Sequence, residues 1–131
     1  MCGEIALVEH GRRTLETISG LLREHPSAAG QALLALDALL GPSIEIVLVD
    51  GEETLVIDEW LAEIHRRFLP NKLVVRRPAG VSDDELPDIL RPLLADRSAR
   101  ESQATAYVCQ DTTCGPPATS LDELLRQVIA V

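Results

Sequence analysis

The most reactive side chains of this chain lie in "QATAYVCQDTTCGPP" (Gln103 to Pro117), where Cys109 and Cys114 stand in a Cys-x4-Cys spacing. Such a pair offers a redox disulfide, half of a metal site, or two structural thiols. Thioredoxin-type catalysis needs Cys-x-x-Cys at a helix N-terminus, which lowers the attacking thiol's pKa and holds its partner in range. "CGPP" has no second thiol downstream, and the next helix opens only at Ser120. The motif is a look-alike.

Strand alternation puts Thr105, Tyr107 and Cys109 on one face, so Cys109 reads as a small buried hydrophobe. Cys114 falls in the following loop, near the surface, and reaches Cys109 only if the turn brings their Cα atoms within about 7 Å. A bond closing so short a loop would stabilise the fold by roughly 2 kcal/mol in the chain-entropy model. The expectation is reduced structural thiols, with a redox disulfide between Cys109 and Cys114 as the alternative. Zinc takes four ligands and this pair supplies two, so no metal is expected. His10, His25 and His65 are scattered over helical segments and read as solvated, and Cys2 needs no role.

These thiols must be positioned by an aliphatic framework, because Trp60, Phe68 and Tyr107 are the only aromatic residues in 131. The chain is 46% hydrophobic and 25% charged, a globular composition. With 21 acidic against 12 basic residues its formal charge is −9. That field repels nucleic acid and anionic lipid, and there are no aromatic platforms for single-stranded bases. "MCGEIALVEHGRR" has no positive n-region, and no segment approaches the ~20 apolar residues of a membrane helix. A cytoplasmic chain with free thiols is expected.

Along the chain, Leu15, Ile18, Leu21 and Leu22 share a helical face up to Pro26, with Ser27 placed to cap a second helix. Ala29, Leu33, Leu36 and Leu40 follow in register, Leu34 and Leu39 widen the stripe, and Gly41 is a C′ residue. The period then changes. "IEIVLVD" (Ile44 to Asp50) is a continuous apolar run of the kind buried on both faces. "LVIDEWLAEIHRRF" is helical, with Ile57, Leu61, Ile64 and Phe68 on one side, and "KLVVRR" is a second strand. Ser82 and Glu85 have capping-box spacing before "DDELPDILRPLL", a helix that Pro92 ends or kinks near Arg91. "ADRSARES" reads as a solvated linker and "ATAYVC" as the third strand, and Ser120 and Glu123 repeat the capping-box spacing before the last helix.

This alternation predicts an α/β fold: a three-stranded parallel sheet in the order 2-1-3, with helices on both faces. An N-terminal helical hairpin over 1–41 precedes the α/β domain over 42–131. Parallel strands in that order would place a ligand crevice where the order reverses, beyond the strands' carboxyl ends. Asp50, Gly51, Glu52 and Thr54 would meet Gln110, Asp111 and Thr112 there. No phosphate loop is present, and Asp50, Glu52 and Asp111 read as ordinary solvated loop carboxylates, with a generic oxygen set for Mg²⁺ as the lesser alternative.

"PNKLVV" (Pro70 to Val75), "ATAYVC" (Ala104 to Cys109), Cys114 and "ELL" in the terminal helix together resemble one family, the YyaL-like, spermatogenesis-associated thioredoxin-domain proteins. "HPSAAGQALLALDALLGPSIEIVLV" fits the same pattern, so the resemblance covers nearly the whole chain. It implies the C-terminal part of a longer protein, following a thioredoxin-like domain and an epimerase-like helical barrel. The two N-terminal helices would be that barrel's last hairpin. The partners implied are those upstream domains; without them, the apolar leucines of the hairpin are expected to be hidden either by folding back over the sheet or by pairing with a second copy as a homodimer. No catalytic residue of the upstream regions matches a position here, and no activity or cofactor is expected of this chain alone.

Overall fold

The computed structural model describes residues 5–110 and 113–129, and the chain falls into two compact units that divide between Pro42 and Ser43. The first unit is helical: α1 (Ile5–Thr17), α2 (Ser19–Glu24), a 3-10 turn (Pro26–Ala28) and α3 (Gly30–Leu40). The turn takes up Ser27, so α3 starts after Ala29 without a side-chain cap. Gly41 is its C-cap in an extended conformation, φ −78°, rather than a left-handed one. No residue within α1, α2 or α3 is buried.

The second unit is built on one sheet. Its strands are β1 (Ile44–Val49), β2 (Lys72–Arg77), β3 (Thr105–Gln110) and β4 (Thr113–Cys114), in the order β2-β1-β3-β4. The predicted 2-1-3 order and the central place of β1 hold. The expected directions do not: β1 and β2 are parallel, but β1 and β3 are antiparallel, with Val49 opposite Thr105 and Ile44 opposite Gln110. The sheet is mixed and has a fourth strand.

The connector after β2 explains the reversal. A third parallel strand would require the chain to return the full length of the sheet. Pro87 and Pro92 leave only a 3-10 turn (Asp83–Glu85) and the four-residue α5 (Arg91–Leu94), in place of the expected helix from the Ser82 cap to a stop or kink near Arg91. The segment therefore packs across one face and re-enters the sheet at the end where β2 left it.

Both faces of β1 are covered, so its run of apolar residues carries no polar alternation. Ile46 and Leu48 pack with Ile57, Trp60 and Ile64 of α4 (Thr54–His65) and with Leu124 and Val128 of α6 (Leu121–Ile129). Val47 and Val49 pack on the opposite face with Leu86, Leu93 and Leu94, flanked by Tyr107. Phe68 does not continue the α4 stripe. The helix ends at His65, three residues earlier, and Phe68 is 92% exposed in the turn that follows.

Both capping-box spacings are used. Glu85 accepts the backbone N–H and hydroxyl of Ser82, which hold its carboxyl below the ordinary value, although the element it opens is a single 3-10 turn. At α6 the Ser120 hydroxyl accepts the Glu123 N–H, while the Glu123 carboxylate reaches one residue further back to the Thr119 N–H.

Gly51 follows β1 where the loop before β3 crosses it. A Cβ there would stand 2.4 Å from the Ala104 nitrogen and 2.6 Å from the Ser102 oxygen, both backbone atoms. Gly51→Ala is therefore expected to destabilise the protein by about 1–3 kcal/mol in chemical denaturation, through overpacking that no rotamer change relieves. An unchanged midpoint would contradict this close approach.

Candidate functional site

The reversal of β3 separates the residues expected to share a crevice. Asp50, Gly51 and Glu52 follow β1 and stand by Ser102 to Ala104, where the Glu52 N–H donates to the Ser102 carbonyl at 2.9 Å. Thr54 begins α4 at the same end. Gln110 lies at the opposite end of the sheet, paired with Ile44, about 17 Å away along a six-residue strand. Asp111 and Thr112 lie outside the described residues. Among the described residues, Gln110 is not brought together with Asp50, Gly51 and Glu52.

What lies beyond the carboxyl ends of β1 and β2 is a cleft of about 310 Å³, lined by Val49, Asp50, Gly51, Arg77, Val81 and Ser102 among others. Two of its charged groups, Asp50 and Arg77, are engaged within the protein, and Glu52 is exposed at its rim. Asp50, 6% exposed at its side chain, accepts from Arg76 Nε at 2.7 Å and Nη2 at 3.2 Å. Arg76 also donates to Asp58, and the Asp50 carboxylate raises its pKa further above the ordinary value. Arg77 donates to the carbonyls of Leu94 and Val81 and pairs with Asp83 at 2.7 Å. Asp50 is thus a structural anion. Among the described residues no group of three His, Cys, Asp or Glu side chains is placed to hold a metal ion, and His10, His25 and His65 are exposed.

The cysteines give a defined geometry. Cys109, buried, and Cys114, exposed, are joined by a disulfide, in place of the reduced thiols expected. The missing premise was β4. Gln110 pairs with Thr113 and Cys109 with Cys114, while the Gly115 N–H donates to the Val108 carbonyl at 2.9 Å. That flanking bond makes Cys109 and Cys114 a non-hydrogen-bonded pair, the closer kind of facing pair in an antiparallel ladder. Their Cα atoms are 3.9 Å apart.

"GPP" is the continuation of this edge. Ala106 and Ala118 exchange backbone hydrogen bonds of 2.8 and 2.9 Å, so Gly115, Pro116 and Pro117 face only Tyr107 and Val108. One extra residue makes a bulge, and the prolines present no N–H on the outer edge.

Arg97, in the segment read as a solvated linker, completes the cluster. Its Nη2 donates to Cys109 Sγ at 3.3 Å and lies 3.7 Å from Cys114 Sγ. Its Nη1 donates to the Leu93 carbonyl, and the guanidinium carbon is 6.0 Å from the centroid of the Tyr107 ring. The Tyr107 hydroxyl donates to the Ser98 carbonyl at 2.8 Å, which fixes the ring. No local signal marks Arg97, because it reaches the sulfurs across 12 and 17 residues of sequence.

The chain is similar to human spermatogenesis-associated protein 20, at 27% identity over 115 residues, covering 86% of this chain and 14% of that protein. This is a distant relation, consistent with the resemblance seen in the motifs. The chain spans a small part of the relative's length. No family model and no solved structure matches it. No helix among the described residues is long and apolar enough to cross a membrane.

Replacing Arg76 by alanine leaves the buried Asp50 carboxylate without its bidentate partner. The expected loss is about 2 kcal/mol, below that of a fully buried pair because Arg76 is itself 35% exposed. Mg²⁺ should leave the melting temperature of the unmodified protein unchanged. Metal-dependent stabilisation, with Arg76→Ala neutral, would show instead that Asp50 serves as a ligand.

Proposed function

We propose that this chain is a non-catalytic accessory domain of a longer, thioredoxin-domain-containing protein with an epimerase-like helical barrel, and that it works by presenting surface to that barrel. The motif resemblance and the distant likeness to spermatogenesis-associated protein 20 support the context. The observation that carries the reading is the state of the helical hairpin. Its helices bury no residue, and Leu21, Leu34 and Leu40 are 46%, 63% and 74% exposed. Leu15, Leu22, Leu33, Leu36 and Leu40 line an apolar groove of about 680 Å³. Val8, Ile18, Ala35 and Leu39 help line a second, of about 490 Å³.

Hairpins apolar on more than one side belong in arrays, where neighbours cover each side. The occupant we assign to these grooves is the preceding helices of the parent chain, since most of the relative's length lies outside the matched segment. The engagement of Asp50 and Arg77 within the protein favours this reading over a small-molecule or metal site in the cleft. A redox element at Cys109 and Cys114 is the second reading, favoured by the placement of Arg97.

Without those helices the isolated chain should cover its leucines with a second copy. A two-fold pairing of hairpins burying ~800 Å² per partner is the simplest closed arrangement. Sedimentation across a dilution series is expected to show a monomer–dimer equilibrium. Leu36→Glu combined with Leu40→Glu should abolish it with the circular dichroism of the α/β unit retained. A strict monomer at every concentration would contradict the proposal.

A further inference from the structure

We propose that the Cys109–Cys114 bond is a thiol-exchange site with a built-in direction: an incoming thiolate attacks Cys114 Sγ, and Arg97 takes up the charge that develops on Cys109 Sγ as it leaves. Three observations carry this, and none depends on where the hairpin docks. Cys114 is exposed and Cys109 is 2% exposed, so the nucleophile has access to one sulfur only. The guanidinium lies nearer the buried sulfur, at 3.3 Å against 3.7 Å, which is the sulfur that departs when Cys114 is attacked. Arg97 is also held ready, by the Leu93 carbonyl and the Tyr107 ring, and among the described residues no carboxylate pairs with it.

Exchange rates rise as the leaving thiol's pKa falls, and a fixed cation beside a sulfur lowers that pKa. A nearby acidic side chain is Glu45 of β1, the cross-strand partner of Cys109 on β3. A carboxylate there disfavours a neighbouring thiolate, so Arg97 and Glu45 act in opposite senses on the same sulfur.

The step balances with a dithiol as reductant. Its first thiolate forms a mixed disulfide with Cys114 as the Cys109–Cys114 bond breaks and Cys109 leaves with the electron pair. Its second thiolate then attacks the reductant's own sulfur in that mixed disulfide and expels Cys114 as thiolate. Two electrons pass from the dithiol to the protein, the dithiol leaves as a disulfide, and the protein thiolates take protons from water. In the product, β4 is held to β3 by backbone hydrogen bonds alone.

The test is the second-order rate of reduction by dithiothreitol, read by trapping the released thiols, on the full chain at one pH. Arg97→Gln is expected to slow reduction about tenfold, Arg97→Lys to recover most of the rate, and Glu45→Gln to accelerate it. With excess glutathione and rapid acid quenching, peptide mass spectrometry should place the mixed disulfide on Cys114. Circular dichroism of each oxidised variant checks folding. If Arg97→Gln fails to fold, Arg97→Lys and Glu45→Gln carry the comparison. Unchanged rates in folded variants, a mixed disulfide on Cys109, or two free thiols in the air-oxidised protein would each overturn the proposal.

Discussion

The α/β unit depends on the burial of one strand on both faces. Within β1, Ile46 and Leu48 are 0% exposed and Val47 is 1% exposed, so each of these side chains has exchanged water for close-packed neighbours. Full burial of such a side chain is worth about 1.5–3 kcal/mol, and no other strand here places so many in succession. A strand of this kind must have a hydrogen-bonded neighbour on each edge and a layer on each face. β2 and β3 supply the edges, α4 and α6 one layer, and the broken segment around α5 the other. The parts named as candidate sites all sit around this strand. Asp50 and Gly51 follow its last residue, and Glu45 and Cys109 face each other near its first.

The consequences of β3 running antiparallel extend from architecture to chemistry. A parallel third strand would have brought Cys109 to Cys114 beside Asp50 to Thr54 and created a crevice at a switch point. Reversal sends the thiols to the other end of the sheet, where the hairpin return of β4 joins them and Arg97 can approach. Asp50, Arg76 and Arg77, left at the first end, serve the fold. Arg76 bridges Asp50 and Asp58, and Arg77 ties Val81 of the connector to the last residue of α5, Leu94.

Much of this was legible in the residues and some was not, for physical reasons. Ile44 to Val49 announced a central strand because two-sided burial removes alternation, and that pattern is local. Ser82/Glu85 and Ser120/Glu123 announced turns of helix because capping is also local. Strand direction is not. It rests on whether the connector after Arg77 returns along the sheet, and the prolines at 87 and 92 weaken the crossover rule that alternation invites. Phe68 misled because the spacing of an apolar stripe does not say where the helix stops. The pairing of Cys109 with Cys114 turned on a strand of two residues, and Arg97 on a contact between segments far apart in sequence.

A sheet locked around β1 and a separately organised, weakly buried helical hairpin make up the described chain. Residue-resolved amide hydrogen exchange tests it most directly, because protection reports the free energy of the opening that exposes each amide. Ile46, Val47 and Leu48 are expected to exchange only through global unfolding of the α/β unit. α1 to α3 are expected to exchange much faster, through an opening that leaves β1 protected. Hairpin amides as slow as those of β1, or β1 amides exchanging as readily as the hairpin, would contradict it.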